Sequence, residues 1–261
     1  MFTVEDRQRL HDRMLELADA DSRVVAGAVV GSLARGDGDR WSDLDLTFGV
    51  RDGVPIEGVL EDWTRTVIDE FGATPLFDLP AGPSIYRVFL VPDLLQFDLS
   101  FTPASAFGAI GPDFRLLFGT AVKRPQPELP TTAKLFGYAV HHALRARFCI
   151  ERGRYWNAEY WISAVRDYGL SIACVRLGVS PHFGKGFDDL PGSVREPFVG
   201  SLVASFDREE LLRALGCAID GLLRQASGCA GLAASVEGQL RSLAAPVGVE
   251  AGGEAAEPQS R

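Results

Sequence analysis

The sequence predicts an α+β chain: a mixed α/β sheet domain followed by an all-α helical bundle. Three observations lead there. Strand-length apolar runs separated by turn residues fill the first half, three prolines cluster within residues 123–130, and helical periodicity governs the second half. The expected boundaries are 1–122 for the sheet domain, 131–245 for the helical domain and 246–261 for a tail.

Thr3 followed by Asp6 has the spacing of a capping box. Leu10, Met14 and Leu17 then recur at helical spacing, so a first helix is expected to about Ala18. Residues 24–30 are β-branched and apolar and read as a buried strand. Gly31-Ser32 breaks that strand, residues 33–35 suit a helical turn, and Gly36-Asp37-Gly38-Asp39 make a loop. A second strand spans 44–50. An amphipathic helix spans 56–71, with Val59, Leu60, Trp63, Val67 and Ile68 on one side. Residues 85–91 and 94–101 read as two strands joined at Pro92-Asp93.

The proline cluster reads as an extended linker. Long helices are expected over 132–152 and 155–177, separated by Gly153. A loop with Pro181, Gly184, Gly186 and Pro191 comes next. Asp207 with Glu210 has the spacing of a second capping box and starts a helix to about Gln225; a last helix covers 232–243. The Gly-, Ala- and Glu-rich tail lacks aromatic residues and is expected to be disordered. There is no internal repeat.

Composition narrows the function. No apolar run approaches the roughly 18–20 residues of a membrane span, and the charged N-terminus does not read as a signal peptide, so a cytoplasmic location is expected. Cys149, Cys174, Cys217 and Cys229 show no metal-ligand spacing and are expected to be reduced. Residues 1–125 hold 12 Lys and Arg against 20 Asp and Glu, whereas the remainder holds 14 against 15. An acidic sheet domain argues against nucleic acid as the main partner and is compatible with metal cations.

The chemistry concentrates in Gly31 to Leu46, GSLARGDGDRWSDLDL. A strand delivers Gly31-Ser32 to a helical turn, where a bare backbone and a hydroxyl suit a phosphate. A loop leads back to a strand bearing Asp43 and Asp45, which at a spacing of two share one face while Leu44 and Leu46 enter the core. Adjacent carboxylates repel, and a divalent cation offsets that cost. Oxygen ligands suit Mg²⁺ or Mn²⁺. Asp98 lies on the polar face of a later strand in which Leu95, Phe97, Leu99 and Phe101 alternate with Gln96, Asp98 and Ser100. If the two strands are neighbours, three carboxylates surround two metals roughly 3.5–4 Å apart, an arrangement for phosphoryl transfer.

Gly31-Ser32-Leu33-Ala34-Arg35-Gly36, with Ser42-Asp43-Leu44-Asp45-Leu46 and the later Asp98, resembles the signature of the polymerase-β-like nucleotidyltransferase superfamily, in particular its small-molecule branch of aminoglycoside and lincosamide nucleotidyltransferases. The motif resemblance covers about residues 20–101, and the helical domain is similar in size and placement. It implies that Gly31 and Ser32 touch the triphosphate of an NTP (ATP as the first choice), that Asp43 and Asp45 hold metal, and that Asp98 is a third ligand or the base. The loop at Gly36–Asp39 departs from the pattern, and its extra acids are expected to perturb it.

Further candidates lie outside the motif. Arg35 either contacts phosphate or pairs with Asp37 or Asp39. Glu159 is a candidate general base, with Arg166 seven residues on along the same helical face; the alternative is a surface ion pair. Trp156, Tyr160 and Trp161 either stack on a base or sugar or form core. The adjacent His141 and His142 cannot easily share a metal and read as surface or satisfied residues. Lys185 either reaches a phosphate or is solvated. The favoured expectation is an enzyme whose helical domain closes the cleft and selects a small-molecule acceptor, an antibiotic among the options. The rivals are a protein-modifying, antitoxin-like nucleotidyltransferase and a non-catalytic nucleotide-binding module.

Overall fold

The computed structural model describes residues 1–125 and 128–245. The chain divides into two compact units, Met1–Glu128 and Leu129–Arg261.

The first unit opens with α1 (Val4–Ala20), and its cap is a closed box. The Thr3 hydroxyl accepts from the Asp6 N–H at 3.1 Å while the Asp6 carboxylate accepts from the Thr3 N–H at 2.9 Å. Next come β1 (Val24–Val30), α2 (Ser32–Arg35), β2 (Leu44–Val50), α3 (Ile56–Phe71), β3 (Thr74–Ala81), β4 (Ser84–Val91), β5 (Leu95–Pro103) and β6 (Phe114–Phe118). The strands form one sheet in the order β3-β4-β5-β2-β1-β6. Every neighbouring pair is antiparallel except β2 with β5. Parallel neighbours need a crossover, and α3 with the β3–β4 hairpin supplies it.

Period-two alternation assigns the two faces. Leu44, Leu46, Phe48 and Val50 of β2 and Phe97, Leu99 and Phe101 of β5 are buried in one cluster with Leu10 and Met14 of α1 and Val59, Leu60, Trp63 and Val67 of α3. The Trp63 ring lies 4.9 Å from Phe48 and meets Phe101 edge-on at 5.1 Å. Full burial stabilises each such side chain by about 1.5–3 kcal/mol, so α1 and α3 are bound to this face. The alternate residues, Asp45 and Thr47 on β2 and Asp98, Ser100 and Thr102 on β5, lie on the other face.

The structure corrects several expectations. The two outermost strands, β3 and β6, were not foreseen. All residues of β3 are exposed and two are proline, a composition that only an edge strand tolerates and that carries no alternation. The connection after β4 is a single 3₁₀ turn over Pro92–Leu94, with Asp93 and Leu94 at φ 60° and 70°, so β5 starts at Leu95 and runs on to Pro103.

The second unit contains α4 (Thr132–Glu151), α5 (Tyr155–Leu177), α6 (Gly192–Val199), α7 (Arg208–Arg224) and α8 (Ala230–Ala244). Its core joins Phe136, Ala139, Ala143 and Ala146 of α4 to Ile162 and Val165 of α5 and Leu211, Leu215 and Leu222 of α7. Helix α6 was not foreseen because Pro197 lies inside it. Asp207 occupies the N-cap of α7, but no side-chain cap bond forms. Glu210 instead accepts from the Ala204 N–H at 2.9 Å and from Arg213, whose guanidinium holds its carboxyl down to about 2. Trp156 and Tyr160 are 79% and 61% exposed, against a core role. All four cysteines are free. No helix among the described residues is long and apolar enough to cross a membrane. The tail expected to be disordered, 246–261, lies outside the described residues, as do 126 and 127 of the expected linker.

Candidate active site

The parallel pairing of β2 and β5 sets Asp45 directly opposite Asp98. Residues opposite each other in register share a face, so the two carboxyls stand together on the face that carries no helix core. They lie close enough to act on one another, and the Gln96 amide donates to Asp98 Oδ1 at 3.0 Å. Burial pushes the Asp98 carboxyl above its ordinary value. The Asp43 charge pushes the same way, and Gln96 and Asp45 act against it. Asp43, half-buried, precedes β2 by one residue. Two carboxyls this close are stabilised by a proton or a cation between them.

Gly31 is fitted to that pair. Its φ of 71° and ψ of −151° belong to a region that side-chain-bearing residues avoid. A Cβ there would stand 2.5 Å from Asp45 Oδ2. Glycine is therefore required twice, by the backbone and by the approach of the carboxylate. Its N–H donates to the Asp113 carbonyl at 3.1 Å, so the Gly31 amide is already engaged within the protein. Ser32 opens α2, and among the described residues its hydroxyl makes no hydrogen bond.

The loop from Gly36 to Ser42 is ordered by its own acids rather than perturbed by them. The Asp39 carboxylate accepts from the Trp41 N–H at 2.8 Å and the Ser42 hydroxyl at 3.1 Å. From α1 the Arg7 side chain, only 6% exposed, donates to the Asp39 and Ser42 carbonyls at 2.8 and 2.5 Å. Arg7 thus fixes the chain next to Asp43. Sequence reading missed it because a lone arginine on a charged helix looks solvated; its place on the buried side of α1, three residues before Leu10, was the available signal.

Arg35 is committed to carboxylates: it pairs with Asp113 at 2.5 Å and Asp37 at 3.2 Å, not with Asp39. The remaining candidates belong to the helical unit. Glu159 accepts from the Ser163 hydroxyl at 2.6 Å, one turn on in α5, and Arg166 pairs with Asp167 at 3.0 Å, so the alternative of a surface ion pair between Glu159 and Arg166 is not what forms. Lys185 is exposed beside the 3₁₀ turn at His182–Gly184. His142 is sandwiched between Trp161 and Tyr168, with centroids at 4.7 and 5.1 Å, and its buried Nδ1 has no hydrogen-bond partner among the described residues. Burial lowers its pKa. His142 is thus a packed, incompletely satisfied residue rather than a surface one, while His141 is exposed.

Among the described residues no three Asp, Glu, His or Cys side chains form a ready-made metal cage. The donor set Asp43, Asp45 and Asp98 nevertheless fits a hard divalent ion whose other ligands come from substrate phosphates and water, the usual way Mg²⁺ is held.

No family model matches the sequence, and no curated protein matches it. Among solved structures, one similar chain is an aminoglycoside 6-adenyltransferase from Bacillus subtilis. It is 13% identical with a TM-score of 0.35, over 91% of this chain and 98% of that one. A likeness that low carries no functional argument, so function rests on the site itself.

Proposed function

We propose that the chain is a nucleotidyltransferase that moves a nucleoside monophosphate, AMP as the first choice, from an NTP to a hydroxyl of a small-molecule acceptor, releasing pyrophosphate. One observation carries the reading: Asp45 and Asp98, in register on parallel neighbours, bring their carboxyls together beside a glycine that leaves no room for a side chain. A structural role does not call for two facing acids at such a point, because their repulsion costs stability unless a proton or cation intervenes.

In this reading Asp43, Asp45 and Asp98 hold Mg²⁺ or Mn²⁺. The ion supplies charge neutralisation for the triphosphate and the departing pyrophosphate. The Gly31-Ser32 turn admits a phosphate close to the backbone, and the Ser32 hydroxyl, which makes no hydrogen bond among the described residues, is a donor for it. Asp98 is the third ligand or, alternatively, the group that takes the proton of the acceptor hydroxyl. Arg7 keeps the loop before Asp43 in one conformation, so the carboxylates need not be ordered when substrate arrives. Arg35 contributes by bracing Asp113 and Asp37 rather than by touching phosphate. Glu159, Arg166 and Lys185 are not needed for these steps.

The test is pyrophosphate release from each of the four common NTPs with Mg²⁺ or Mn²⁺, across a panel of hydroxyl-bearing antibiotics and metabolites. Asp45→Asn is expected to lower turnover by roughly 100- to 1000-fold, the scale of deleting one group that stabilises transition-state charge. Turnover unchanged in Asp45→Asn would overturn the assignment.

A further inference from the structure

On the carboxylate face of the sheet a cavity of about 150 Å³ opens beside the site, lined by Thr47, Tyr86, Thr102, Phe107, Phe114 and Arg124 among others. It lies wholly in the first unit. The lining hydroxyls are set by strand register: Thr47 of β2 and Tyr86 of β4 lie on either side of the buried Ser100 of β5 and face it. Thr102, two residues on, is bonded to Ser84 at 2.7 Å. Ser100 is 1% exposed, and among the described residues its hydroxyl has no well-formed hydrogen bond, although it lies near the Tyr86 phenol.

The roof is built around Gly108. A Cβ there would meet the Val122 carbonyl at 2.0 Å and Arg124 Cγ at 3.4 Å, so glycine lets the segment from Val122 to Arg124 lie close. The Val122 N–H donates to the Phe107 carbonyl at 2.7 Å and anchors that segment. Arg124 is half-buried, lines the cavity, and is in no ion pair among the described residues. The other charged lining residue, Asp113, is already paired with Arg35. The uncompensated charge of the lining is therefore positive. Arg124 and Asp45 both lie near enough to the Tyr86 phenol to act on it, and Tyr86 lines the cavity, so the cavity and the carboxylate pair are neighbours.

We propose that this cavity binds a small oxyanion, a carboxylate or phosphate group, carried by the acceptor, so that the enzyme's acceptor is an acidic hydroxyl compound. The identity of the group as part of an acceptor rests on the nucleotidyl-transfer reading; the anion site does not. Guanidinium and phenol are the donors: a tyrosine hydroxyl is protonated at neutral pH, and burial of Tyr86 pushes its pKa further up, so it donates rather than repels. A cationic group placed in this cavity would face the Arg124 charge at close range, which disfavours it there.

The experiment titrates inorganic phosphate, and separately acetate, into the full-length protein by calorimetry, with and without saturating Mg-ATP. Arg124→Met is expected to weaken phosphate binding at least tenfold and Arg124→Lys to restore part of it. Mg-ATP affinity should be unchanged in Arg124→Met. Phosphate that binds wild type and Arg124→Met equally, or does not bind at all, overturns the anion site. Phosphate displaced by Mg-ATP shows the cavity to be part of the triphosphate site and overturns the acceptor role. Arg124-dependent phosphate binding in a protein that does not bind Mg-ATP upholds the anion site while the transferase reading fails, so the two fail separately.

Discussion

At the scale of single residues, Gly31 states the most restrictive requirement. Its φ is one that only glycine adopts readily, and the space beyond it is filled by the Asp45 carboxylate. Gly31→Ala is expected to cost about 1–3 kcal/mol from the backbone alone and to displace Asp45 besides. Urea unfolding measures the first effect and pyrophosphate release the second; turnover retained in a folded Gly31→Ala protein would contradict the cradle. Asp21 offers a cleaner electrostatic test. It accepts from Arg23 and from the Trp63 indole at 3.0 Å, and the Arg23 bonds hold its carboxyl near about 2. Because that pKa is depressed on folding, the stability it contributes is complete above the unfolded value and is lost as pH falls through about 2. The contribution is on the order of 2 kcal/mol at neutral pH. Asp21→Asn should therefore destabilise by about that amount at pH 7, and the gap from wild type should close on acidification towards pH 2, as followed by denaturant titration.

At the scale of elements, the two predicted capping boxes separate local signal from tertiary outcome. The Thr3–Asp6 pair closes, whereas at α7 Glu210 is drawn away by Arg213 and the Ala204 N–H. Thr3→Ala is expected to cost about 1 kcal/mol and Asp207→Ala well under half of that, compared by thermal unfolding. The central elements were legible because their signals are internal: the alternation in β5, the apolar side of α3 and the caps are written in neighbouring residues. Strands β3 and β6 were not, because an edge strand with one partner needs neither alternation nor continuous burial. The exposure of Trp156 and Tyr160 was equally illegible, since the sequence does not say which face of an aromatic-rich helix meets a core.

At the scale of the molecule, each unit closes its own core: the sheet with α1 and α3 in the first, α4, α5 and α7 in the second. A fragment of residues 1–128 is accordingly expected to fold by itself, with a single cooperative urea transition and near-ultraviolet circular dichroism from Trp63 in its aromatic cluster. A fragment that stays unfolded would show that the sheet core is insufficient alone. The same scale limits the functional reading. The proposed chemistry is assembled within the first unit, and nothing in it draws on Glu159 or Lys185 of the second.

By itself the sequence determined the mixed sheet, the helical second half, and the candidacy of Gly31, Ser32, Asp43, Asp45 and Asp98, because spacing along a strand fixes which side chains share a face. Tertiary structure alone decided that β2 and β5 are parallel neighbours with Asp45 opposite Asp98, that Arg7 braces the loop, and that Arg124 overhangs a hydroxyl-lined cavity. Pairing partners and register are chosen by the burial of a whole face at once, and that free energy belongs to no local stretch of chain.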